Sequence, residues 1–260
     1  MIRDLMLNRF TQELSGVCST HLLEEKWLIA PSLRVGHQWL DTLTLNSLSV
    51  LNVRTKTMKG MVLELAGPAM VGKGVSLISD TGSMILVDRI LNRLTSNANS
   101  YFSSILSSMN FSWTMLSTIT AIRLAGLNED HLDPKCFEVA QKGKDVAFVL
   151  GEYTRLLRER QLLDYADVVN MMTEMLCSTQ DRIISPDLLV LVPMDLELSA
   201  LENRLLEELP TSSLVRLPVD EHAANTSEGP HTDSSILKWI LAPEEAPASA
   251  EDGTAMIFRS

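Results

Sequence analysis

Five consecutive aliphatic residues, Leu188-Leu189-Val190-Leu191-Val192, stand between Pro186 and Pro193. An unbroken apolar run of this length predicts a strand covered on both faces, and such strands belong to parallel sheets with helices above and below. Residues 195–209 then place Leu198, Leu201, Leu205, Leu206 and Leu209 on one helical face, with Glu202, Glu207 and Glu208 mostly off it. Ligands of open α/β sheets bind beyond the carboxyl ends of the strands. The turn Pro193-Met194-Asp195-Leu196-Glu197 is therefore where a function should show itself.

Upstream, the pattern alternates strand with helix. Residues 2–16 carry Leu5, Leu7, Phe10 and Leu14 against Arg3, Asp4, Arg9 and Glu13, an amphipathic helix expected to end near Gly16. Trp27-Leu28-Ile29-Ala30 is a short strand closed by Pro31-Ser32, and Val35, Trp39, Leu40 and Leu43 mark the inner face of the helix after it. Val50-Leu51-Asn52-Val53 is a second strand, followed by a helix that Thr57 begins or caps and that carries Met58, Met61, Val62 and Leu65. Strand and helix alternating at these spacings imply a parallel sheet with right-handed crossovers.

From residue 83 the character changes, because helical patterns follow one another over 84–94, 116–124, 145–157 and 165–176 without a convincing strand. The expected organisation is a first part of an α/β sheet domain (1–82), an α-helical insertion subdomain (83–182) and a second part of the sheet domain (183–260). Tyr101, Phe102, Ile105 and Leu106 make the polar tract 95–108 a weak helix. Leu214-Val215-Arg216-Leu217 is a further strand, 220–235 a polar loop, 236–241 a short apolar segment, 242–253 a linker and Ala255-Met256-Ile257-Phe258 a last strand. The chain stops at Ser260 without a cap or tail, which leads to the expectation of more protein beyond it.

Composition narrows the class. A hydrophobic share of 45% over 260 residues is ample for a core. The net charge of −11 argues against a nonspecific polyanion-binding surface, so any nucleic-acid contact has to be local. Cys18, Cys136 and Cys177 are odd in number, widely spaced and without a CxxC pair, the usage of a reducing compartment; three buried free thiols are expected. The N-terminus lacks a signal-peptide core and no run of about 18 apolar residues occurs, so the expected location is the cytoplasm, with no membrane partner.

Few residues carry a chemical motif. Gly67-Pro68-Ala69-Met70-Val71-Gly72-Lys73 matches GxxxxGK, the backbone nest and lysine that cradle phosphates. Gly74 stands where Ser or Thr should hold Mg²⁺, and the motif follows a helix rather than a strand, so an ordinary glycine-rich loop is the competing reading. His21, His37, His131, His222 and His231 lack metal-ligand spacing and are expected to be solvated. Asp164 and Asp167 fit the capping of a helix start better than an acid pair for catalysis. Asp195, Glu197 and Glu202 could hold a cation, but capping and solvation explain them more simply. No metal or other cofactor is expected.

Several stretches together resemble the N-terminal motor domain of superfamily 1 helicases, in the branch containing UvrD, RecB and the AddB-type helicase-nuclease subunit. Trp27-Leu28-Ile29-Ala30-Pro31-Ser32-Leu33-Arg34 resembles the strand and loop after the nucleotide site, whose Pro, Ser/Thr and Arg positions touch single-stranded DNA. Val53-Arg54-Thr55-Lys56-Thr57-Met58 resembles the next strand with its threonine-led helix, and Leu163-Asp164-Tyr165-Ala166-Asp167-Val168-Val169 is similar to the "LDFDDLL" helix before the acidic motif. Ala121-Ile122-Arg123-Leu124-Ala125-Gly126-Leu127 and the helix around Tyr153 fit the helical insertion of AddB-like relatives. The resemblance covers most of residues 22–260. It implies an α/β, parallel-sheet, P-loop-NTPase-like (RecA-like) domain with a large α-helical insertion, and a PD-(D/E)XK nuclease domain further along the natural chain.

The departures matter as much. Only a helix and a linker precede Trp27, so the phosphate loop of such motors is missing, and aligning Leu191-Val192 with the acidic-motif strand puts Pro193 and Met194 at the Asp-Glu positions, followed by Asp195. Magnesium would lose its ligand and the attacking water its orienting base. The resemblance thus implies a catalytically inactive helicase-like domain of a DNA repair or recombination protein, a scaffold contacting single-stranded DNA through Ser32, Arg34, Gln38, Lys56 and Thr57. The alternatives are an interaction module for a helicase or nuclease partner subunit, or for a C-terminal domain of the same chain, and a nucleotide-binding protein using Gly72 and Lys73. Acidic charge and the absence of an aromatic run for stacking bases favour the interaction module.

Overall fold

The computed structural model describes residues 9–96, 98–104, 108–178 and 184–219. In chain order it contains helix α1 (Arg9–Thr20), strand β1 (Glu25–Ile29), helix α2 (Leu33–Leu45), strand β2 (Val53–Lys56) and helix α3 (Met58–Lys73). A short strand β3 (Ser76–Leu77) leads into helices α4 (Asp80–Thr95), α5 (Met109–Leu124) and α6 (Ala140–Glu159). Strand β4 (Leu162–Leu163), helix α7 (Tyr165–Ser178), strand β5 (Leu188–Pro193), helix α8 (Ala200–Glu207) and strand β6 (Leu214–Leu217) complete the described chain. The segments expected within 2–8, and the loop, linker and strand expected over 220–260, lie outside the described residues.

The main sheet is entirely parallel, in the order β2-β1-β5-β6. Every residue of β5 is buried, as the apolar run between two prolines predicts for an interior strand. Alternation then divides its side chains. Trp27, Ile29, Leu188, Val190 and Val192 face a core shared with α3, α7 and α8. Leu28, Leu189, Leu191 and Leu217 face a second core with α1 and α2. The chain runs from β1 outward to β2 over the α2 face, then returns past β1 to β5 over the opposite face. Reversing both direction and face keeps the crossovers of one hand, as parallel connections require.

Among the element boundaries that differ from expectation, three have a clear local reason. Helix α1 passes through Gly16 to Thr20, because burial of Leu14 and Cys18 against the sheet outweighs the weak helix propensity of glycine. Strand β2 begins at Val53, because Asn52, at φ +55°, turns the chain just before it. Helix α3 does not stop at Leu65. It continues through Gly67 and Pro68 to Lys73, with Ala66 and Met70 buried in the core shared with α7, and ends at Gly74, whose φ of +65° is the left-handed cap that glycine adopts without strain.

The insertion has a core of its own, built on Val87, Ile90 and Leu91 of α4, Met115 and Ile119 of α5, and Val149, Leu150 and Tyr153 of α6. Buried polar groups fix its joints. Asp145 accepts from the Ser100 hydroxyl (2.7 Å), the Tyr101 amide (2.7 Å) and Gln141 (2.9 Å), which seats the 3₁₀ turn Tyr101–Ser104 on α6. Tyr153 donates to Ser83 Oγ at 3.0 Å, and burial pushes its phenol up to about 12. The chain leaves and rejoins the sheet layer through β3 and β4, which pair in parallel, a small second sheet not anticipated from the sequence. Helix α7, placed within 83–182 by the sequence pattern, contributes Ala166, Val168, Val169, Met171 and Met172 to the core beneath the main sheet.

Candidate functional site at the carboxyl edge of the sheet

The sheet reverses its strand order between β1 and β5, and the crevice beyond the carboxyl ends of those strands is where open α/β sheets bind ligands. Register brings the segments of interest to this edge. Ile29 is level with Lys56, the Ala30 amide donates to Lys56 O at 2.9 Å, Leu28 is level with Leu191, and Pro193 is level with Leu217. Residues 30–32, 56–57 and 193–195 therefore lie at or just beyond the carboxyl ends of neighbouring strands.

Two of the five DNA-contact candidates have a local structural task. Ser32 caps α2, its hydroxyl accepting from the Val35 amide at 3.3 Å, and Thr57 caps α3, accepting from the Gly60 amide at 3.0 Å. Lys56 is half-buried, ion-paired with Glu64, with its ammonium 5.0 Å from the centre of the Trp27 ring. Arg34 and Gln38 are exposed on successive turns of α2, with no side-chain partner among the described residues. Of the candidates at this edge, Arg34 is the cation free to meet an anion.

The positions that the resemblance assigns to nucleotide handling are filled by other structure. Gly67 to Lys73 lie inside α3, so their backbone is helical and cannot wrap a phosphate, and neither the nest nor the ordinary loop considered for the motif exists. Pro193 is buried at the end of β5, Met194 is 66% exposed with its amide donating to Leu217 O at 2.9 Å, and Asp195 and Glu197 are exposed. Glu202 does cap a helix. Its carboxylate accepts from the Ser199 amide at 2.9 Å while Ser199 Oγ accepts from the Glu202 amide, a reciprocal capping box that starts α8 at Ala200 rather than near Asp195. Among the described residues no group of His, Cys, Asp and Glu side chains gathers as a metal site.

The strongest polar cluster lies next to this edge. Arg123, near the end of α5, donates Nε and Nη2 to Asp164 at 2.7 and 3.1 Å, Nη2 also to Asp167 at 2.5 Å, and Nη1 to Thr154 at 2.8 Å. Its side chain is 9% exposed. Asp164 and Asp167 also cap each other's backbone amides at 3.0 and 3.2 Å, so the capping reading of this pair holds and a cation is added to it. Burial pulls the guanidinium down, but the two carboxylates together more than offset this and leave it above its ordinary value. Burial lifts the Asp167 carboxyl, against the pull of Arg123. Two clues were legible, the three-residue spacing of the aspartates and a single arginine inside Ala121-Ile122-Arg123-Leu124, but nothing in the sequence pairs them.

The cysteines need a correction. Cys18 is buried, whereas Cys136 and Cys177 are exposed, the first on a surface 3₁₀ turn and the second on the outward side of the last turn of α7. His21 pairs with Glu24 at 3.2 Å, His37 and His131 are exposed, and His222 and His231 lie outside the described residues. Among the described residues no helix is long and apolar enough to cross a membrane. Compared with protein-family models and with curated proteins, the chain matches none.

Proposed function

We propose that this chain is a helicase-like, RecA-like domain that does not hydrolyse ATP and serves as a cytoplasmic scaffold in a DNA repair or recombination protein of the AddB type, guiding a single DNA strand across the carboxyl edge of its sheet. The observation that supports this reading is the content of that edge. Polar loop residues and the free Arg34 stand beyond β1 and β2, while proline and methionine occupy the positions at the end of β5 where a motor would hold magnesium. Contacts of this kind position a strand through its phosphates without reading its sequence.

The test is an anisotropy titration of labelled single-stranded DNA at two salt concentrations. Salt-sensitive binding, with a slope that flattens when Arg34→Ala and Lys56→Ala are combined, supports the reading. Binding whose slope the double variant leaves unchanged overturns the site, and no binding at low salt overturns the DNA role.

One observation favours an interaction module instead. Leu33 and Met194, 51% and 66% exposed, put apolar side chains on the same edge, where a phosphate ligand would call for charge. On this second reading the edge receives a helicase or nuclease partner subunit, and Leu33→Glu with Met194→Glu abolishes the association while single-strand titrations stay flat.

A further inference from the structure

A chain of short polar contacts leads from the insertion to the carboxyl edge. Arg123 on α5 holds Asp164 and Asp167 at the start of α7. Tyr165, which follows Asp164, donates its hydroxyl to Glu202 Oε1 at 2.7 Å, and Glu202 Oε2 accepts from the Ser199 amide at 2.9 Å and the Ser199 hydroxyl at 2.7 Å. Ser199 is the cap of α8, the first helix after the 193–198 turn. The Tyr165 ring also has the Lys59 ammonium 5.8 Å from its centre, two residues beyond Thr57 on the other turn of the edge. Alongside, Leu201 of α8 lies close to Gly126 at the end of α5, where an added Cβ would come within 3.3 Å of its Cδ2.

We infer that this relay couples the docking of the helical insertion to the turns that form the carboxyl edge. Arg123 acts through α7 and does not itself reach the edge, so it is a positioning residue. Without it, the two aspartates face each other uncompensated at the start of α7, and the Tyr165 hydroxyl is no longer held on Glu202. Coupling of this kind is reciprocal: a ligand or partner on the edge tightens the insertion, and one on the insertion tightens the edge. The inference does not depend on what the edge binds.

Amide hydrogen exchange on the full 260-residue chain tests it, with Arg123→Met, Tyr165→Phe and the double variant. Tyr165→Phe should speed exchange at the Glu202 and Asn203 amides about tenfold, the scale of one lost charge-assisted hydrogen bond, and leave α5 unchanged. Arg123→Met should speed the same two amides by a similar factor, along with Asp167 and Val168, while β1 and β5 keep their rates. In the double variant the effect at Glu202 should be no larger than in Tyr165→Phe, because both substitutions cut one line. Multiplying effects, an Arg123→Met response confined to α5 and α6, or a uniform rise reaching β1 and β5 would each overturn the coupling. Should the methionine variant not fold, Arg123→Lys keeps the charge but loses the two-pronged grip, and should give the same pattern with a smaller factor.

Discussion

Arg123 and Asp164 lie 41 positions apart in sequence, yet the guanidinium meets both oxygens of that carboxylate, at 2.7 and 3.1 Å, with side chains only 9% and 13% exposed. Removing one partner of a buried pair leaves the other charged and unsatisfied. Asp164→Asn should therefore cost about 3 kcal/mol in urea unfolding. Asp167→Asn should cost clearly less, since Asp167 takes one contact from Arg123 and is 29% exposed. Equal losses would mean that the guanidinium treats the two carboxylates alike.

Asp167 sets a pH dependence with a definite sign. Burial raises its folded-state pKa above the unfolded value of about 3.9. Its contribution is thus fully present below that value and is lost as pH rises through the folded one. Wild type should gain stability relative to Asp167→Asn as pH falls from neutrality through the raised value towards 3.9. Urea unfolding of both proteins at matched pH values measures the difference, and a change in the opposite direction would identify Asp167 as a carboxylate stabilised in its charged form.

Gly36 on α2 touches β2 so closely that an added Cβ would lie 2.0 Å from Thr55 Cγ2 and 3.1 Å from Ala30 Cβ. Gly36→Ala should cost about 2 kcal/mol by overpacking. Adding Thr55→Ala should recover most of it, because it removes that Cγ2 and the buried Thr55 hydroxyl has no hydrogen-bond partner among the described residues to lose. Thermal unfolding of the two single variants and the double variant checks this.

The three thiols should divide two to one. In native buffer a disulfide reagent should modify Cys136 and Cys177, with Cys177 slowed by the neighbouring Glu208 carboxylate, which raises its pKa. Cys18 should react only on unfolding, being buried, with its pKa raised by that burial. Counting released chromophore with and without denaturant gives the result.

Because Gly67 to Lys73 form the last turns of α3, calorimetry with ATP and Mg²⁺ should give the same heat for wild type and Lys73→Ala. Heat that disappears with the lysine would revive the nucleotide-binding reading.

Burial pattern was the legible part of this chain. The run Leu188 to Val192 gave away an interior parallel strand, and the helical faces of α4 to α8 could be traced from their apolar spacing. What stayed hidden depends on partners distant in sequence. Gly67, Pro68 and Gly72 look like a loop until Ala66 and Met70 are seen packed in the core with α7. Lys26, at the start of β1, has the look of a surface residue. In the structure it is fully buried, its ammonium capping the His21 and Glu24 carbonyls. At the edge, Arg34 could be picked out from its position, but the neutralisation of Lys56 by Glu64 could not.

The parallel pairing of Ser76 with Leu162 and Leu77 with Leu163 also bears on how this architecture can be re-engineered. Antiparallel strands can be rejoined by a two-residue turn, but parallel strands need a crossover of about a dozen residues or more. The insertion is that crossover, so it is not a cassette to be trimmed to a tight loop. A shortened protein would need a replacement long enough to carry the chain back alongside β3, and it would still lack Arg123, the counter-charge that Asp164 and Asp167 share.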